Sequence, residues 1–254
     1  GISRMLSRKA RENEDHFAGA AAGTGLEVIP GTELSCIYEG KEIHIIGLFI
    51  NHHSPELVRA LTQLRKDRDN RNMEMLSLFQ KDGFMITEDA LTKGGSLSVI
   101  TRAHFARALM EAGYVSTMEQ AFIKYLEHGR KYCPPKKTVP PAEAIRLILD
   151  AGGFPALAHP VQYKLGWEKT GRMIAGLKEM GLKGIEVYYS SHTQNDSMRL
   201  REMCLRFRLL PTGGSDFHGS NKPDISIGSG RGGLRISRLL LDDIKKTLAK
   251  DAGN

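Results

Sequence analysis

Three short stretches place side chains able to bind metal or move protons just after an apolar run. They are Gly31-Thr32-Glu33 after Leu26 to Ile29, Ala158-His159-Pro160 after Phe154 to Leu157, and Gly214-Ser215-Asp216-Phe217-His218-Gly219 after Leu209 to Thr212. His44 is a fourth candidate, set between Ile43 and Ile45 where an imidazole would be buried. Imidazole and carboxylate donors without thiolates suit zinc, manganese or iron, and a carboxylate such as Glu33 can bridge two ions. Divalent ions held close together clamp a phosphoryl group, lower the pKa of a bound water and stabilise a leaving oxygen, so hydrolysis would need no protein nucleophile. Each side chain also has an ordinary role open to it: His44 as a hydrogen-bonded core residue, His159 in a strand-end turn, Asp216-x-His218 as a helix cap with a surface imidazole. What favours metal is that these sites all fall at strand positions facing one expected edge of a sheet.

Such a site needs strands that deliver it. The pattern predicts a strand over Leu26 to Ile29, then a hairpin of Leu34 to Tyr38 and Glu42 to Ile50 around Glu39-Gly40. Ser54-Pro55-Glu56 starts a long basic helix running towards Gly83. Helical segments follow at Thr87 to Leu91, Thr101 to Ala112 and Thr117 to His128, punctuated by Gly94-Gly95, Gly113 and Gly129. The proline-rich stretch Cys133 to Pro141 reads as an extended linker, so residues 72–140 read as an inserted helical domain, and residues 1–71 and 141–254 as one discontinuous main domain. Beyond it, helix Ala142 to Ala151, strand Phe154 to Ala158, helix Trp167 to Met180, strand Gly184 to Tyr189, helix Gln194 to Phe207 and strand Leu209 to Thr212 alternate. That alternation argues for an α/β fold with a parallel sheet, open or closed into a barrel. Gly228 to Gly233 is glycine-rich but lacks the strand, helix and lysine of a phosphate loop, and reads as a plain loop.

The bulk numbers set limits. With 254 residues, 41% hydrophobic and 26% charged, the chain suits one substantial folded domain with a small insertion. No apolar run approaches a membrane span and Gly1 to Ala10 is too polar for a signal peptide, so neither membrane nor export is expected. Three widely spaced cysteines, Cys36, Cys133 and Cys204, form no CxxC pair, which argues against disulfides or a thiolate zinc site and points to the cytoplasm. A net charge of +7 favours acidic partners such as phosphorylated small molecules, nucleotides or oligonucleotides, or serves solubility alone. No stable protein partner is inferred.

Taken together, IPGTELS around Glu33, KEIHIIGL around His44, ALAHP around His159, GIEVYYSSH from Gly184 to His192 and GSDFHGSNKP from Gly214 to Pro223 resemble the polymerase and histidinol phosphatase (PHP) family. The resemblance runs from about Leu26 to Gly230 and is to the branch of small metal-dependent phosphoesterases that includes nucleotide phosphatases and 5′-to-3′ exoribonucleases. It implies a distorted (β/α)7 barrel with an inserted helical domain, and two or three divalent ions, drawn from manganese, zinc, iron or magnesium. By resemblance Glu33 is a bridging ligand, His44 and His159 ligate a neighbouring ion, and Asp216 and His218 are ligands at the catalytic last motif. Arg102, His104 and Arg107 resemble the family's basic helix near the substrate, where His104 and Arg107 would share a face. His192 and Lys222 are further substrate-side candidates, with Arg71 another. The family's amino-terminal HxH and TDH motifs have no match here, so the barrel is expected to be incomplete at its amino terminus, holding fewer ions. His16, in Glu14-Asp15-His16-Phe17, is the stand-in weighed for the TDH histidine, and Gly1-Ile2-Ser3 resembles the helix after that motif.

The sequence therefore predicts a metal-dependent hydrolase acting on phosphate esters of nucleotides or RNA ends. Two alternatives stand beside it: a non-catalytic binding or accessory protein that keeps the fold, and a histidinol-phosphate-type phosphatase.

Overall fold

Alternating polar and apolar residues fold Gly31–Tyr38 and Lys41–Leu48 into a hairpin, β1 and β2. Glu39 and Gly40 form its turn with φ of 46° and 75°, the left-handed pair that a two-residue hairpin loop requires. Glu33 pairs with Ile46 and Ser35 with His44, so these four share one face, while Leu34, Cys36, Ile43 and Ile45 are buried on the other. The chain is seen here in a computed structural model that describes residues 25, 27–92, 100–219 and 222–253. His16, Gly1-Ile2-Ser3, Leu26, Gly94-Gly95, Ser220 and Asn221 lie outside the described residues. The separate strand expected from Leu26 to Ile29 is corrected: residues 27–30 form none, since Pro30 has no N–H for a ladder and Val28 is exposed. Glu33 therefore stands within a strand and not in a loop after one.

The described residues separate into two compact units, one comprising those up to Val58 and from Thr138, the other those between Arg59 and Lys137. Helix α1 (Pro55–Lys81) opens with proline in its first turn, where the missing N–H costs nothing. Within the second unit its Met75, Leu76 and Phe79 pack with residues of α2 (Glu88–Thr92) and α3 (Arg102–Glu111), notably Leu91, Phe105 and Leu109. The helix expected from Thr117 to His128 is shorter. After α4 (Met118–Ala121) the coil widens into a π turn, Phe122–Leu126, closed by Glu127 N–H donating to the Phe122 carbonyl. That turn buries Leu126 and sets Tyr125 edge-on to Phe79 and Phe84.

In the first unit, α5 (Pro141–Asp150) buries Ala144, Ile145 and Ile148. Ile148 lies over Gly47, where an added Cβ would come within 2.8 Å of it, so the close approach of helix and hairpin requires glycine there. Strands β3 (Phe154–Leu157), β4 (Gly184–Tyr189) and β5 (Leu210–Gly214) complete a five-stranded sheet in the order β1-β2-β3-β4-β5. β1 to β3 pair antiparallel and β3 to β5 parallel, so the sheet is mixed. Helices α6 (Trp167–Glu179) and α7 (Gln194–Phe207) make the crossovers between the parallel strands. A last helix, α8 (Arg238–Ala252), is an element the sequence reading did not foresee. Its signals were present: Ser237 caps it, and Leu240, Ile244 and Leu248 recur every fourth residue, with Ile244 and Leu248 packing on Phe154 and Ala156. Among the described residues no helix is long and apolar enough to cross a membrane. None of the three cysteines is in a disulfide, and all are buried.

Candidate metal centre

The hairpin register brings Glu33 and His44 together as diagonal neighbours on one face, His44 lying two residues from Ile46, the direct partner of Glu33. β2 then carries His44 alongside the end of β3, where the Ala158 N–H donates to the His44 carbonyl at 3.0 Å and the next residue is His159. Glu33 Oε1 consequently lies 2.9 Å from His44 Nδ1 and 3.2 Å from His159 Nε2, with the two ring nitrogens 3.3 Å apart. Among the described residues these donor atoms form the one cluster of three or more histidine, cysteine or carboxylate groups close enough together to hold a metal ion. The set fits a divalent cation: ligand atoms at about 2.0–2.1 Å from a tetrahedral ion sit about 3.3 Å from one another. Without an ion, protons hold the group together. Burial opposes charge on His44, but hydrogen bonds to Glu33 and Glu42 outweigh it and raise the imidazole to about 9. Burial likewise opposes ionisation of Glu33, yet its hydrogen bonds with His159 and His44 hold the carboxyl below the usual carboxylate range.

Two groups support the candidate ligands through their main chain. Tyr163 Oη accepts the His44 N–H at 2.8 Å and donates to the Ala158 carbonyl at 2.7 Å, tying β2 to the residue before His159. His159 itself has φ 28° and ψ 56°, a left-handed conformation that side chains other than glycine's rarely adopt. Its N–H donates to Glu186 Oε2 at 2.8 Å. Burial pushes the Glu186 carboxyl up to about 8; the charges of Glu33 and Asp216 add to this, while the His159 hydrogen bond and Lys222 oppose it. Sequence reasoning assigned no role to Glu186 or Tyr163. A carboxylate inside the apolar run Ile185-Glu186-Val187 was a usable signal, whereas nothing in the sequence ties Tyr163 to His44.

Asp216 and His218 form a second pair after β5. The Asp216 backbone has φ 54°. Its Oδ2 accepts from Tyr189 Oη at 2.8 Å and from Lys222 Nζ, while Oδ1 lies 3.1 Å from His218 Nδ1. His218 Nδ1 also lies 2.7 Å from the Asp216 carbonyl, so that nitrogen carries the proton and Nε2 is the atom left to bind a ligand. Tyr189, unassigned in the sequence reading, links the pair to the first group: its ring lies 5.4 Å from that of His159 and 5.1 Å from that of His192. His192 donates from Nδ1 to the Val187 carbonyl at 2.9 Å, which leaves Nε2 buried and without a hydrogen-bond partner, and burial lowers its pKa.

The other candidates belong to the second unit and are engaged within it. Arg71 donates to the Pro134 carbonyl at 2.7 Å and to Cys133 Sγ at 3.2 Å. Arg102 donates to the Leu126 carbonyl and stacks over the Phe122 ring, and Arg107 pairs with Glu111. His104 Nδ1 accepts from the Thr101 N–H at 3.1 Å, as a capping side chain does at the start of α3.

No family model matches the chain. It is 34% identical over 200 residues to the 5′-3′ exoribonuclease Rnm of Escherichia coli, covering 78% of this chain and 67% of that one. It is 31% identical over 212 residues to the 3′,5′-nucleoside bisphosphate phosphatase of Chromobacterium violaceum, covering 83% and 74%. Among solved structures, an amidohydrolase from Chromobacterium violaceum with bound sulfate superposes with a TM-score of 0.71 at 30% identity, over 82% of this chain and 74% of that one.

Proposed function

Since the chain belongs to the PHP family of metal-dependent phosphoesterases, we propose that it hydrolyses phosphate esters of nucleotides or RNA ends at a centre built on Glu33, His44 and His159. The observation that carries this is the convergence of one carboxylate oxygen and two imidazole nitrogens within 3.3 Å of each other. Divalent ions bound there, manganese, zinc, iron or magnesium, would supply Lewis acidity towards the phosphoryl group and lower the pKa of a coordinated water. Glu33 shares its carboxylate between the two histidines, and Tyr163 fixes their spacing. Asp216 and His218 complete the ligand set from β5 and are the residues assigned to the catalytic step, with Tyr189 and Lys222 orienting the Asp216 carboxylate. Lys222 and His192 are placed on the substrate side, the lysine neutralising phosphate charge. Residues 72–140 form a helical module inserted in a (β/α)7-type barrel. The relatives' names favour a nucleoside bisphosphate or an RNA 5′ end as substrate. Three buried cysteines without a disulfide agree with a reducing compartment such as the cytoplasm.

The test is elemental analysis of protein purified without chelator, paired with manganese-stimulated phosphate release from a nucleoside 3′,5′-bisphosphate. Bound divalent ions with turnover abolished by His159→Ala are expected. A folded protein that takes up no ion and releases no phosphate would overturn the reading.

A further inference from the structure

His159 and Asp216 are the two ligand candidates with a left-handed backbone, and His159 has the less ordinary angle of the two. A residue with a Cβ at φ 28° is strained, and such a conformation persists only where its surroundings fix it. The His159 carbonyl accepts from the Gln162 N–H at 3.0 Å, one turn along, and its N–H is held from another element by Glu186, whose Oε2 accepts it at 2.8 Å from β4, the strand next to β3. Glu186 is itself held in a fitted place. Its other oxygen, Oε1, lies against Gly214 of β5, where an added Cβ would come within 2.8 Å of it. Gly214 has no left-handed φ to explain a glycine, so the space it leaves is the feature that matters. A carboxyl group 7% exposed, inside a strand that is otherwise apolar and aromatic, is costly to keep unless it does something a leucine could not.

We infer that Glu186 is a positioning residue: seated in the gap left by Gly214, it holds the His159 backbone in the strained conformation that aims Nε2 at Glu33 and His44. The role is distinct from ligation, since Glu186 reaches His159 through the main chain, and it rests on the metal-centre reading above. Loss of the hydrogen bond lets residues 158–160 relax towards ordinary backbone angles and swings the imidazole away from its partners.

The experiment measures the Mn2+ dissociation constant by calorimetry for the wild-type chain and for Glu186→Ala, Glu186→Gln and Gly214→Ala, with thermal unfolding run on each to establish folding. Glutamine keeps an acceptor oxygen in place, and Gly214→Ala displaces the carboxyl without altering it. Glu186→Ala and Gly214→Ala are expected to weaken Mn2+ binding about 10- to 100-fold, as loss of a group that orients a ligand does, with Glu186→Gln within about threefold of wild type. The double variant Glu186→Ala/Gly214→Ala should be no worse than Glu186→Ala alone, because both act on one bond. Should Glu186→Ala fail to fold, Gly214→Ala and Glu186→Gln still decide. Wild-type affinity in folded Glu186→Ala or Gly214→Ala would overturn the assignment, as would Glu186→Gln weakened as much as the alanine variant, which would make charge the operative property. A wild-type chain that binds no Mn2+ would overturn the metal-centre reading, and this inference with it.

Discussion

Replacing Tyr163 with phenylalanine deletes one oxygen that serves two main-chain groups, the N–H of His44 at 2.8 Å and the carbonyl of Ala158 at 2.7 Å. Tyr163 is 5% exposed, so water cannot readily take the place of its hydroxyl. Each such bond contributes about 0.5–1.5 kcal/mol net, and leaving both partners buried and unpaired pushes the total to about 2–3 kcal/mol. With a slope of about 2–3 kcal/mol/M for a unit of this size, the urea midpoint should fall by about 1 M with the slope unchanged. Trp167 is the chain's single tryptophan and lies at the start of α6 in the same unit, so its fluorescence follows the unfolding that matters. The same variant should bind Mn2+ about tenfold more weakly, since the phenol joins the strand carrying His44 to the residue before His159. A midpoint within about 0.2 M of wild type would refute the claim that this hydroxyl ties the two ligands together.

Three further outcomes are expected. His44 is raised to about 9 from an ordinary 6.5, so its stabilising contribution is complete below pH 6.5 and is lost as pH rises through 9, whereas Glu33, held low, contributes above 4.5 and loses that as pH falls. Metal-free protein should therefore weaken from pH 6.5 to 9 in urea unfolding, and a flat profile across that window, or one unaltered by His44→Gln, would contradict the assignment. Because His44 must give up its proton to ligate, Mn2+ binding at pH 7 should release about one proton per ion at this group, read by calorimetry in buffers of different ionisation enthalpy; no release would count against His44 as a ligand. Gly47→Ala should destabilise by about 1–3 kcal/mol through its clash with Ile148, and shortening Ile148 to valine in the same chain should recover part of the loss; strictly additive effects would refute that contact.

The residues proposed to do the chemistry were readable in the sequence because the required donor types are few and their positions next to apolar runs are distinctive. Glu33, His44, His159, Asp216 and His218 were all named from type and spacing or from likeness to a family, and period-two alternation gave the hairpin that pairs the first two. What spacing could not give was register and distance. Whether His44 meets Glu33 depends on a pairing offset in β1 and β2, and a slip of one residue would turn the imidazole to the buried side with Ile43 and Ile45. Helix α8 has its apolar repeat in the sequence, but it follows the glycine-rich residues 228–233 with no strand after it, so only its packing on Phe154 and Ala156 shows that it belongs to the core. Tyr163, Glu186 and the strained backbone of His159 could only come from tertiary structure: they act through main-chain groups of residues 5, 27 and 119 positions away, and a hydrogen bond to a backbone N–H or carbonyl leaves no trace in the identity of the residue it holds.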